Sequence, residues 1–233
     1  MIGSFDVSED AGALATRVAD WLIARVAATM APVRVALSGG STPKKLFSLL
    51  AAPDRAARMD WTKLHLFWGD ERFVPYDSSD SNYGEAKRLL LDKVPLPGTH
   101  VNPFPDGPDP ESAAAIYEAT LRAQPTTDIA PLFEVNFLGL GEDGHTASLL
   151  PGNPVLNERT RWAVAVREGR PEVRLTLTYP ALERANTVAF LVSGAGKAAI
   201  LRKVRAGIAD LPATNLHPRG EVIWFVDRAA LGE

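Results

Sequence analysis

Apolar residues recur at helical spacing near the start of the chain, where Leu14, Val18, Trp21, Leu22 and Val26 define one face of a helix predicted over 9–30, with Ser8 as its N-cap. The pattern then changes. Val33-Arg-Val-Ala-Leu37 and Leu64-His-Leu-Phe-Trp68 are short, β-branched and aromatic runs bounded by glycine, which predicts buried strands. Thr42 followed by Pro43 predicts an N-cap and a helix over 43–50. Further helices are predicted over 82–91 and 110–121, and strands over 133–138, 161–166, 173–178, 187–193 and 222–226. Gly194-Ala-Gly196 opens a helix that ends near Gly207. Residues 95–110 hold six prolines and two glycines, so they should form a rigid surface connection with at most a strand near Val101. Strands alternate with helices throughout, which predicts an α/β fold: a layered sheet with helices on both faces.

Bulk properties narrow the class. The 233 residues suit one domain, 1–233, without an evident linker or repeat. A net charge of -3 argues against nucleic-acid binding. No apolar stretch is long enough to span a bilayer, and residues 1–10 lack the basic and apolar regions of a signal peptide. The chain contains no cysteine, so disulfides and thiolate metal sites are excluded, and the expected location is cytoplasmic.

Candidate chemistry lies where glycine turns follow strands. Ser38, Gly39, Gly40, Ser41 and Thr42 join a strand to a helix; glycines admit an anion to backbone N–H groups, and the helix start adds partial positive charge. The plainer alternative is a turn that needs glycine for its φ angle. The same residues approximate a nucleophile elbow around Ser38, with His217 as a late partner, although too few strands precede it. In Gly139-Leu-Gly-Glu-Asp-Gly-His145, one of four histidines sits on a tight turn beside Glu142 and Asp143. An imidazole presented there, with a carboxylate to fix its tautomer, is suited to act as a general base. The glycines also match a dinucleotide fingerprint, but the acidic residue that it requires is poorly placed at Glu168. His65 alternates with leucines and reads as a strand residue; His100 and His217 lie in proline-rich loops, and no histidine pair has metal-ligand spacing. In Gly69-Asp70-Glu71-Arg72, Asp70 and Arg72 should point one way and Glu71 the other. Arg72 could grip an oxyanion, or simply join a surface ion pair. Lys197 near a helix start is electrostatically disfavoured unless an anion is bound there, and Arg174 opens the preceding strand.

Across nearly its whole length the chain resembles the 6-phosphogluconolactonases of the pentose phosphate pathway. The motifs are Leu37-Ser-Gly-Gly-Ser-Thr-Pro43, Trp68-Gly-Asp-Glu-Arg-Phe-Val-Pro75, Ser81-Asn82, Gly139-Leu-Gly-Glu-Asp-Gly-His-Thr-Ala-Ser-Leu-Leu-Pro151, Arg174-Leu-Thr-Leu-Thr178, Gly194-Ala-Gly-Lys-Ala198 and Gly220-Glu-Val-Ile-Trp-Phe-Val-Asp227. The resemblance implies a mostly parallel sheet between helices, related to glucosamine-6-phosphate deaminase and ribose-5-phosphate isomerase. It also implies hydrolysis of 6-phosphoglucono-δ-lactone, a small-molecule substrate, without a cofactor. By motif match, His145 would be the general base, oriented by Asp70 or Asp143. The 38–42 loop, Lys197 and Arg174 would hold the phosphate, and Arg72 would face the lactone. The stretch before Arg174 departs from the Ser-Pro-Lys-Pro-Pro-like pattern of many relatives. The deaminase cousins are the nearest alternative, but they carry a glutamate where this chain has Leu150 and usually an aromatic residue where it has Arg72. A non-catalytic sugar-phosphate-binding regulator is a further alternative.

Overall fold

The computed structural model describes residues 3–126, 131–208 and 211–233. In chain order its elements are β1 (Ser4–Ser8), α1 (Ala11–Ala27), β2 (Val33–Leu37), α2 (Ser41–Leu50), α3 (Pro53–Ala56), β3 (Leu64–Trp68) and β4 (Asp70–Arg72). There follow α4 (Asn82–Leu89), α5 (Pro110–Arg122), β5 (Phe133–Leu138), β6 (Ala163–Val166), β7 (Arg174–Leu177) and α6 (Tyr179–Leu182). The last are β8 (Ala185–Val192), α7 (Ala198–Arg205), β9 (Glu221–Asp227) and α8 (Arg228–Leu231).

Six strands form a parallel sheet in the order β1-β9-β8-β5-β2-β3, flanked by helices. Its inner strands are buried on both faces, which is why they read as unbroken apolar runs. Leu14, Val18, Leu22 and Val26 of α1 are fully or almost fully buried, as the helical spacing predicts, and α1 packs on β1, β9 and α2. The 95–110 connection is short 3₁₀ turn and extended chain, with Val101 bridged to Leu66.

Four expectations are corrected. The N-cap of α1 is Asp10, whose carboxylate accepts from the N–H groups of Gly12 and Ala13; Ser8 instead ends a strand, β1, that the apolar pattern does not predict. The helix after β2 starts at Ser41, so Gly40 occupies the cap and Thr42 lies in the first turn. Gly194 leads into a 3₁₀ turn, Ala195–Lys197, before α7 begins. Finally, β6 and β7 do not join the main sheet. They form an antiparallel hairpin, and with β4 make a second, three-stranded sheet in the order β4-β7-β6. The second sheet is tied to the first at Gly69, whose N–H bonds to the Leu37 carbonyl and whose carbonyl accepts from Leu177. Buried side chains of both sheets belong to one apolar core.

The strand order creates a crevice. After β2 the chain moves outward to β3; after β5 it moves the other way, to β8. Connections leaving adjacent strands in opposite directions open a gap at their carboxyl ends, where open α/β sheets bind ligands. The two glycine turns seen in the sequence follow β2 and β5, the two strands that flank this gap.

Candidate active site

A cavity of about 360 Å³ occupies the crevice. Its wall includes Ser38, Gly39, Gly40, Ser41 and Thr42 after β2, Asp70 and Arg72 on β4, Gly139, Gly141 and His145 after β5, Arg174 on β7, and Lys197 after β8. Every residue singled out from the sequence as catalytic or substrate-binding therefore lines one cavity, except Asp143, which stands behind His145.

The turn after β2 is held open by two glycines. A Cβ on Gly39 would lie 2.0 Å from Asn82 Oδ1, and Gly40 has φ +111°, a conformation that side chains resist. No acidic residue lies in the first turn of α2 and no side chain caps it, so its free N–H groups face the cavity rim without an internal anion. Thr42 Oγ1 and Ser193 Oγ are 2.8 Å apart, which ties this helix start to the turn bearing Lys197. Lys197 is half-buried, and its ammonium makes no hydrogen bond or ion pair with any described residue.

Beside the 38–42 loop, which Arg72 reaches through Asn82, β4 and β7 pair so that Arg72 and Arg174 are direct partners across the ladder. Two guanidinium groups are thus placed side by side at the cavity wall. The Nε of each is buried without a hydrogen-bond partner among the described residues. Burial, with the nearby Arg72 charge, pushes Arg174 below the ordinary arginine value. Arg72 Nη1 donates to the Asp80 carbonyl and to Asn82 Oδ1, and Asn82 Nδ2 donates to the Asp70 carbonyl. Asp70 is buried, and its Oδ2 accepts from Ser148 Oγ at 2.8 Å. As strand alternation requires, Glu71 points away from the cavity, where it accepts from the backbone N–H groups of Asn82 and Tyr83 and from Ser81 Oγ at the start of α4.

His145 is placed by its turn. The Gly141 N–H bonds to the His145 carbonyl at 2.8 Å, and Thr146 Oγ1 donates to the Gly139 carbonyl. A Cβ on Gly141 would lie 1.9 Å from His145 Nδ1, so only glycine leaves room for the ring. His145 Nδ1 is 2.5 Å from Asp143 Oδ1. A carboxylate only accepts, so this contact is a hydrogen bond in the tautomer with Nδ1 protonated, which leaves the Nε2 lone pair available. Burial works to raise the Asp143 carboxyl, but hydrogen bonds from the His145 backbone and ring and from Arg170 outweigh it and hold it below the ordinary aspartate value. Asp143, rather than Asp70, is the carboxylate that touches the imidazole.

Two rival patterns do not assemble. His217 lines a separate cavity with Phe190 and Trp224, far from any elbow at Ser38, whose hydroxyl donates to the Gly39 carbonyl. Ser38 also follows the second strand, not the first as the sequence suggests. The Gly139–Gly144 fingerprint lacks its βαβ unit, because the next strand, β6, lies in the other sheet. His65 stacks on His100 at 3.8 Å at the β3 edge of the sheet. Among the described residues no cluster of three metal-ligating side chains is found, and no helix is long and apolar enough to cross a membrane.

Asn82, Ser148, Arg170 and Ser193 also line the cavity, and none of them is given a role from the sequence. Asn82 was the most recoverable, because it belongs to the Ser81-Asn82 motif and Ser81 is the N-cap of α4, bonded to the Gly84 N–H.

The family model described as glucosamine-6-phosphate isomerases/6-phosphogluconolactonase matches residues 9–224. A 6-phosphogluconolactonase from Synechocystis is 44% identical over 203 residues, covering 84% of this chain and 82% of its own. A 6-phosphogluconolactonase structure from Thermotoga maritima superposes with a TM-score of 0.83 at 27% identity, covering 97% of this chain and 99% of its own. A monomeric glucosamine-6-phosphate deaminase superposes with a TM-score of 0.85 at 18% identity, over 98% of this chain and 99% of its own, a likeness of fold.

Proposed function

Since the chain belongs to the glucosamine-6-phosphate isomerase/6-phosphogluconolactonase family, we propose that it hydrolyses 6-phosphoglucono-δ-lactone to 6-phosphogluconate. The observation that carries this choice is the pairing of a carboxylate-held imidazole with a set of cationic groups, Arg72, Arg174 and Lys197, in one cavity.

The phosphate is anchored at the start of α2, by the N–H groups and hydroxyls of the 38–42 loop and by Lys197. Such remote binding energy becomes orientation of C1. His145 Nε2 takes a proton from a water as its oxygen bonds to C1, a contribution of about 10²–10⁴ in rate. Asp143 holds Nδ1–H and stabilises the imidazolium that forms. Arg72 offsets the negative charge that develops on the carbonyl oxygen. Arg174, across the ladder from Arg72 and on the same cavity wall, joins the loop and Lys197 in holding the phosphate. The C1–O5 bond then breaks, and the imidazolium returns its proton to O5. Asp70, held by Ser148, is left to accept from sugar hydroxyls.

The deaminase alternative is disfavoured by the wall itself. Leu150, at the position where those cousins carry glutamate, is a buried apolar lining residue and cannot shuttle protons. Proton release from freshly prepared 6-phosphogluconolactone, corrected for spontaneous hydrolysis, tests the proposal beside ammonia release from glucosamine 6-phosphate. Turnover of the lactone alone is expected. Ammonia release without lactone turnover would reverse the assignment.

A further inference from the structure

Arg170 sits on the hairpin loop between β6 and β7, the stretch where the sequence departs from the pattern of many relatives. Its position is set by the loop. Gly169 has φ +89°, and a Cβ there would lie 2.8 Å from Leu150 Cδ1, so the chain turns tightly against the cavity wall just before Arg170. The guanidinium Nη2 is 3.1 Å from Asp143 Oδ2 and 3.1 Å from His145 Nδ1. Asp143 Oδ1 is already 2.5 Å from that same ring nitrogen.

One nitrogen cannot serve both neighbours. If Nδ1 carries a proton, it donates to Asp143, and Arg170, a donor with no acceptor, is left to bond only Asp143 Oδ2. If Nδ1 carries its lone pair, Arg170 donates to it, and the proton moves to Nε2, which is then useless as a base. The bond from Arg170 to Oδ2 decides between the two. It occupies the outer carboxylate oxygen and turns the inner one toward the ring. The other charged groups of the cavity, Asp70 and Arg72 on β4, Arg174 on β7 and Lys197 after β8, and Glu142 on the same turn, make no hydrogen bond or ion pair with the ring or with Asp143.

We propose that Arg170 is a positioning residue: it pins Asp143 so that His145 is held in the tautomer with Nδ1 protonated and Nε2 open to the cavity. The proposal rests on His145 being the base, but it can be read without turnover.

The test uses the full-length protein with Arg170→Met and Arg170→Lys. Imidazole ¹⁵N shifts, assigned with His145→Asn, distinguish the two neutral tautomers. The wild type should show the Nδ1–H form, and Arg170→Met a mixture. In the same variant kcat should fall about 10-fold with KM little changed, since orientation and not binding is lost. Arg170→Lys keeps one charged donor and should recover most of both signals. An unchanged tautomer in Arg170→Met would overturn the proposal. So would a raised KM at normal kcat, which would make Arg170 a substrate ligand. A mixed tautomer with normal kcat would uphold the positioning role of Arg170 and remove His145 as the base.

Discussion

Glu71 shows how far a single side chain reaches into the cavity without touching it. Its carboxylate is buried, and burial pushes it above the ordinary glutamate value despite hydrogen bonds from the Tyr83, Asn82 and Arg72 backbones. Those bonds start α4 and place Asn82, whose side chain packs on Gly39 and holds Arg72. The cost of burying this carboxylate is offset by the four donors it gathers. Glu71→Gln has the same shape but replaces one acceptor oxygen with a donor. It should lose about 1–3 kcal/mol of stability in urea unfolding. It should also lower turnover by misplacing Arg72. A variant as stable and active as the wild type would contradict this chain of contacts.

At the level of elements, turns carry the chemistry and strands carry the turns. Gly141 is the sharpest case, because any side chain there would occupy the space of the His145 ring. Gly141→Ala should cut kcat strongly, since the His145 ring must give way to the added methyl; unchanged kcat per folded molecule would refute that placement. Such positions were legible in the sequence because a glycine turn directly after a doubly buried strand leaves a double signature. The strands over 33–37, 64–68 and 133–138 match the observed bounds for the same reason. β1 was not legible: Ser-Phe-Asp-Val-Ser is a half-exposed edge strand with only two apolar residues. Nor was the second sheet, because apolar runs reveal that β6 and β7 are strands but not which neighbour they bond. Arg170 escaped for a different reason. A loop arginine looks like any solvated charge until the fold brings it against Asp143.

For the molecule as a whole, the parallel sheet distributes the work among strand ends. Lys197 follows β8, His145 follows β5, the 38–42 loop follows β2, and Arg72 lies on the β4 extension of β3. The groups assigned to anchoring and to proton transfer thus sit on different strand ends around one cavity. Binding and chemistry should therefore come apart on mutation. The most direct measurement is a paired one: kcat for the phosphorylated lactone and calorimetric affinity for 6-phosphogluconate, in His145→Asn and Lys197→Ala. The predicted result is a loss of about 10²-fold or more in kcat for His145→Asn with product affinity nearly intact, and weakened affinity for Lys197→Ala. Near-normal turnover in a folded His145→Asn protein would contradict the account.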